Sequence, residues 1–190
     1  MPTRNRGEAA VDEVYAIVSA RTPTQLAIAL KWNRVPPNGP STAGEWNRIA
    51  DSLVRKHHST EAEAARILAY ANVAAFDAQI DCFTTKFEWW VARPFQVDSR
   101  IAPLVAFVAP NHPSYPSSHS CVSSAMGAVL ADAFPSERRG LDALVEEAGM
   151  SRVYAGIHYR FDIVAGQAIG RRAAAKALAG SLEDHFDEIE

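Results

Sequence analysis

The sequence has no apolar run near the ~20 residues that a membrane-crossing helix needs. Its start, MPTRNRGEAAVDE, lacks the hydrophobic region of a signal peptide. Cysteine is scarce: Cys82 and Cys121 are the two in 190 residues, and their spacing is not paired. That argues against a disulfide framework and against a zinc site built from cysteine. Both thiols read as reduced and part-buried, packing as small hydrophobes. Basic charge is not in excess either. Lys and Arg number 19 against 22 Asp and Glu, a net charge of -3, so nothing overall draws the chain to nucleic acid or to an anionic membrane. These absences predict a soluble, cytoplasmic chain with no membrane span. A leader removed upstream would leave no trace, so an exported precursor stays open. There is no internal repeat, no low-complexity tract and no sustained alternation of the kind a strand needs.

What is present is helical periodicity in a chain long enough for one domain, with 48% hydrophobic and 22% charged residues. Val11, Val14, Tyr15 and Val18 fall on one face of a helix over Gly7 to Ala20. Thr22 followed by Pro23 reads as an N-cap and first helical residue. Residues 33–41 read as a loop, because three prolines and a glycine deny them regular structure. Thr42 with Glu45, and Thr60 with Glu63, read as capping boxes. The first opens a helix to about Arg55; the second opens an Ala-rich helix to about Trp90. Pro94, Pro103, Pro110, Pro113 and Pro116 then impose a loop around the apolar piece IAPLVAFVA. Helices resume from Ser118 to Phe134, from Ser136 to Gly149 and from Arg160 to Gly180. The expected architecture is an all-α bundle forming a single domain over residues 1–190. Residues 1 to about 40 would be a supporting pair of helices, about 40–180 the bundle that carries the chemistry, and 181–190 an acidic tail. A long Ala-rich helix could leave apolar surface for a homodimer to cover.

Three segments stand out chemically. In KFEWWVARP, Lys86 and Arg93 lie seven apart, which on a continuous helix is two turns and one face. In HPSYPSSHS, a Pro-rich loop delivers Ser117, Ser118 and His119 to a helix start, where free amides and the positive dipole end attract anions. In SRVYAGIHYRFD, Arg152, His158 and Asp162 fall together. His158 and Asp162 are four apart and could share a helical face, the carboxylate holding one imidazole nitrogen and turning the other toward a ligand. Each piece has an ordinary reading: a solvated helix face, a helix cap, a local hydrogen bond. Jointly they offer three cations, a hydroxyl, helix-terminal amides and two imidazoles, a set suited to a tetrahedral or trigonal-bipyramidal oxyanion. One imidazole could bond to the central atom and the other could move a proton.

K-x6-RP, PS-x-H and SR-x5-H-x3-D, here Lys86 to Pro94, Pro116 to His119 and Ser151 to Asp162, resemble the three-part signature of the vanadium-dependent haloperoxidases and the type-2 phosphatidic acid phosphatase superfamily. The resemblance spans residues 40 to 175. It implies a helical bundle with the oxyanion site in its core. Lys86, Arg93, Arg152 and Ser117, with the amide of Ser118, would hold the anion. In the haloperoxidases His158 would be bonded to the vanadium of a vanadate cofactor and His119 would be the acid–base group, with halide and hydrogen peroxide as substrates. In the phosphatases, which need no cofactor beyond substrate phosphate, His158 would attack phosphorus. Asp162 would orient it and His119 would protonate the leaving oxygen.

One position departs: the family usually has Gly where this chain has Ser118. Gly permits a positive φ and close backbone approach. That supports a third expectation, a non-catalytic oxyanion-binding protein. DAQIDCFTTKFEWW and GIHYRFDIVAG look more like the haloperoxidase branch, and His112 falls where those enzymes often carry an aromatic residue or His that tunes peroxide and halide chemistry. Trp89 and Trp90 read as buried core with a lesser prospect of walling the site. The chain's shortness and the abundance of cellular phosphate favour a phosphatase.

Overall fold

The computed structural model describes residues 4–33, 41–104 and 110–183. Most of the loop expected over 33–41, part of IAPLVAFVA and nearly all of the acidic tail lie outside the described residues. Among the described residues every regular element is helical: α1 (Arg4–Ser19), α2 (Pro23–Lys31), α3 (Thr42–Lys56), α4 (Glu61–Trp89), α5 (Pro94–Val97), α6 (Ser118–Ala133), α7 (Arg138–Tyr154) and α8 (Arg160–Glu183), with a 3-10 turn at Pro135–Glu137. The all-α expectation holds.

Local chemistry explains most boundaries. Thr22 caps α2 with Pro23 at its first position, and Gln25 completes a capping box. Thr60 and Glu63 form the expected box on α4. The box expected of Thr42 and Glu45 is not formed. Ser41 is the cap of α3, its side chain accepting from the amide of Gly44, while Glu45 reaches Arg48 at 3.3 Å. Helix α7 runs a full turn past Gly149, where the sequence suggests a stop. A Cβ there would sit 2.5 Å from a methyl carbon of Ile163, so this glycine serves close packing and not termination.

The core is built on small residues. Ala71, Ala74, Ala75, Ala78 and Cys82 form the buried face of α4. Gly166 and Gly170 on α8 bring that helix against α6 so closely that a Cβ at Gly166 would lie 2.6 Å from the carbonyl oxygen of Ser117. With α4, α6 and α8 drawn together, the C-terminal end of α4, the N-terminal ends of α6 and α8 and the C-terminal end of α7 converge at one end of the bundle. The N-terminal helices α1 and α2 pack against α7.

Candidate active site

Lys86 lies in the last turn of α4, on its buried face. The helix ends at Trp89 because Trp90 turns left-handed, with φ 47° and ψ 41°. Arg93 is therefore not two turns along the same helix but the N-cap of α5. The two cations meet across the proline loop instead. Lys86 Nζ donates to the carbonyls of Pro113 (2.8 Å), Ser114 (2.9 Å) and Pro116 (2.5 Å). Arg93 donates from Nε to the carbonyl of His112 at 3.0 Å and from Nη1 to that of Ile157 at 2.7 Å. Arg152, on the extended part of α7, donates from Nε to Ser151 Oγ at 2.9 Å and from Nη2 to the carbonyl of Ala29 at 3.1 Å.

All three cations are at most 1% exposed. Burial pulls each below its usual range, Lys86 to about 8, Arg93 to about 10 and Arg152 to about 9. Each still carries its charge at neutral pH. Among the described residues the buried set holds one carboxylate, Asp162, against these three cations.

His158 and Asp162 do come together, but not on a helix. His158 sits in the turn before α8 and Asp162 in its first turn. Asp162 Oδ2 accepts from His158 Nδ1 at 2.8 Å, from Ser114 Oγ at 2.6 Å and from the Tyr159 amide at 3.0 Å. Burial raises Asp162 to about 6, against the Ser114 and Tyr159 donors and the charges of Lys86 and Arg93. His158 Nε2 lies 3.3 Å from Arg93 Nη1. A guanidinium can only donate, so these partners assign the proton to Nδ1 and a lone pair to Nε2. Burial, then the charges of Arg93 and Lys86, hold His158 well below its usual pKa, so the ring is neutral.

Ser117 is the N-cap of α6, its Oγ accepting from the Ser120 amide at 3.4 Å. Ser118 and His119 follow in the first turn, whose amides precede the first intrahelical bond, from the Cys121 amide to the Ser117 carbonyl. Ser118 adopts no positive φ, and its hydroxyl donates to Gln79 Oε1 at 2.8 Å. The side chain is tied to α4, and the backbone needs none of the freedom Gly would bring.

His119 Nε2 lies 3.0 Å from the carbonyl oxygen of Trp32, which can only accept. The proton is therefore on Nε2 and the lone pair on Nδ1. Burial, then Arg152, depresses this histidine well below its usual value. His112 stands 3.3 Å from Arg93 Nη2 through Nδ1 and packs its ring 5.1 Å from that of Phe83. Burial, then Lys86 and Arg93, lowers it to about 4.

Trp89 and Trp90 are 42% and 69% exposed, so the core role expected for them fails. Trp89 instead makes an edge contact with Tyr115, next to the loop that Lys86 clamps. Residue patterns do not point to Ser114, Gln79 or the carbonyls of Ala29 and Trp32. Carbonyls leave no signal in side-chain spacing, and Ser114 is one serine among several in its loop.

Among the described residues, no three His, Cys, Asp or Glu side chains gather to hold a metal cation. The site is instead a cluster of three buried cations and two neutral imidazoles at one end of a helical bundle. The chain belongs to the PAP2 superfamily, whose family model matches residues 64–181. Among solved structures it is similar to a bacterial vanadium-dependent iodoperoxidase, with a TM-score of 0.80 and 27% identity over 90% of this chain and 48% of that one. The chain thus spans about half the length of that relative. It also shares its fold with a transmembrane PAP2-type phosphatidylglycerolphosphate phosphatase from Bacillus subtilis, with a TM-score of 0.67 and 16% identity over 98% of this chain and 90% of that one. LpxE from Aquifex aeolicus matches with a TM-score of 0.60 and 18% identity over 90% and 95% of the two chains. No curated protein matches the chain by sequence. Among the described residues no helix is long and apolar enough to cross a membrane.

Proposed function

We propose that the chain is a vanadium haloperoxidase-like enzyme that binds vanadate between Lys86, Arg93, Arg152, Ser117 and His158 and oxidises iodide or bromide with hydrogen peroxide. The observation that carries this reading is the buried charge: three cations against one carboxylate. Such an excess is costly unless an anion answers it. A neutral His158 with its Nε2 lone pair turned toward Arg93 suits a bond to the centre of that anion. Bound vanadate would supply a Lewis-acidic centre at which peroxide is activated toward halide. The likeness to the iodoperoxidase favours this chemistry over the phosphatase alternative.

The chain's own residues have distinct tasks. Lys86 is shared between three loop carbonyls and would turn one N–H to an anion oxygen. Arg93 and Arg152 present donors already aimed by carbonyl partners, so little reorganisation is needed. Ser117 Oγ accepts from an amide and keeps its proton to donate. His119 would take a proton from incoming peroxide at Nδ1 while Nε2–H stays on the Trp32 carbonyl. The test is peroxide-dependent iodide and bromide oxidation by protein reconstituted with orthovanadate, with His158→Ala as control. Folded wild-type protein that binds vanadate yet oxidises no halide rules the reading out.

A phosphate monoester hydrolase is the second reading, favoured by the lone pair that Asp162 and Arg93 fix on His158 Nε2. That atom would attack phosphorus as the ester P–O bond breaks, and His119, first protonated at Nδ1 from solvent as the substrate phosphate enters, would deliver that proton to the departing oxygen. Water would then cleave the phosphohistidine. This reading predicts phosphate release that vanadate inhibits and His158→Ala abolishes. The non-catalytic reading leans on Ser118, whose hydroxyl is occupied by Gln79.

A further inference from the structure

Helix α4 has two apolar faces. The Ala and Cys face is buried, as described. The other carries Val73, Phe76, Ile80, Phe83 and Phe87, spaced 3, 4, 3 and 4, and Trp90, the left-handed residue that ends the helix, lies beside Phe87 with ring centroids 5.5 Å apart. The five helical residues form a heptad seam with apolar side chains at each a and d position and no charge among them, and Trp90 extends the apolar stripe past the helix end. A helix in a lone globular domain normally turns such a seam inward. Here Val73 is 51% exposed, Phe76 68%, Ile80 50%, Phe87 48% and Trp90 69%.

We propose that this face docks a second copy of the same chain, α4 against α4, antiparallel about a two-fold axis between residues 81 and 82. In that register Phe76 faces Phe87 of the second copy and Ile80 faces Phe83, while Val73 lies level with the Trp90 that ends the helix. The seam residues thus fall in mirrored layers, as a two-fold contact requires. The antiparallel sense also evens the layers, since the smallest residue lies level with the largest. A parallel pair would stack Val on Val at one end and Trp on Trp at the other. With aromatic side chains of roughly 150–250 Å² each, the exposed part of the seam comes to on the order of 600 Å² per copy. The total of about 1,200 Å² reaches the lower range of specific interfaces. The flanks decide against a lipid surface. Asp77, Asp81 and Glu88 border the stripe, and acidic groups are repelled by anionic headgroups. The same flanks repel each other across the two-fold axis, so association strengthens as salt screens them.

Sedimentation velocity between about 1 and 100 µM tests this. The expected result is a reversible monomer–dimer equilibrium that shifts toward dimer with added salt. Phe76→Glu, a change at an exposed position, should give a monomer with unaltered far-UV circular dichroism. Mixing Phe76→Cys with Phe87→Cys protein under mild oxidation should cross-link the two variants to each other much faster than either to itself. Monomer throughout the range overturns the proposal, as does a dimer indifferent to Phe76→Glu. Self-linking of Phe76→Cys overturns the antiparallel register, and binding to neutral phosphatidylcholine vesicles in place of dimerisation would assign the stripe to lipid. Oxidase and phosphatase assays play no part, so these outcomes are independent of the proposed reaction.

Discussion

His158 Nδ1 and Asp162 Oδ2 are 2.8 Å apart and both buried, and that one contact decides which nitrogen of His158 keeps its lone pair. With the proton held on Nδ1, Nε2 carries the lone pair that either proposed chemistry requires. Asp162→Ala should therefore lower turnover by roughly 10–100-fold, with a smaller effect on oxyanion affinity, because the cations remain. Asp162→Asn keeps the shape but can donate to the ring and favour the wrong tautomer, so it should fare no better than Ala. Steady-state kinetics beside calorimetric titration with orthovanadate checks the split. Equal losses in turnover and affinity would mean that Asp162 merely holds the cage together.

Acidification should destabilise the protein. Folding lowers His112 to about 4 and takes His119 and His158 well below the usual 6.5. Below pH 6.5 the unfolded chain binds protons that the folded chain refuses, so stability falls as pH falls. Asp162 has the opposite sign. Its folded value, about 6, lies above the usual 3.8, so between those values the folded state holds a proton that the unfolded state does not. Three histidines outweigh one carboxylate. The thermal midpoint should drop steadily from pH 7 to pH 5, measured by circular dichroism, whereas a rise over that interval would contradict the assigned directions.

Ser118 offers a separate test of the family departure. Its backbone is ordinary and its hydroxyl is bound to Gln79 at 2.8 Å, so restoring Gly gains no needed conformation. Ser118→Gly should cost about 1 kcal/mol of stability, from the lost hydrogen bond and the added chain entropy. Vanadate affinity should stay within about two-fold, since the amide is kept and a two-fold change is a fraction of a kcal/mol. A large gain in affinity on that substitution would show that the side chain does obstruct the anion.

Much of this is legible in the residues. The 3.6-residue period, the Thr–Pro start of α2 and the Thr60–Glu63 box point to helices whose ends fall within a few residues of those observed. The charged letters Lys86, Arg93, Arg152, His119, His158 and Asp162 do converge. The geometry that joins them is less legible. Spacing alone puts Lys86 and Arg93 on one helix face, yet a left-handed Trp90 breaks the helix between them. Spacing also puts His158 and Asp162 on one helical turn, yet they meet across a helix start. In both cases the chain folds the groups together through loop carbonyls and a cap, which residue spacing does not encode. The role of α2 is invisible for the same reason. Its Ala29 and Trp32 carbonyls, partners of Arg152 and His119, belong to backbone that any sequence possesses. Exposure misleads in the other direction: Trp89 and Trp90 look like core by composition and lie on the surface.

The helix that closes the bundle supplies the sharpest mutational contrast. At Gly166 an added Cβ would meet the Ser117 carbonyl oxygen at 2.6 Å and Ser120 Cβ at 2.8 Å. Neither is the end of a flexible side chain, so α6 itself must move. Overpacking of this kind costs about 1–3 kcal/mol. The atoms displaced belong to the cap that holds Ser117, so Gly166→Ala should also reduce oxyanion affinity. Gly180 lies in the same helix, and a Cβ added there would meet nothing within 4 Å. There the helix propensity of Ala dominates, and Gly180→Ala should be neutral or stabilising by up to about 1 kcal/mol. Thermal denaturation of the two variants, with orthovanadate titration of each, checks both signs. If Gly166→Ala matched Gly180→Ala in both measurements, the close approach of α8 to α6 would not be what sets the site.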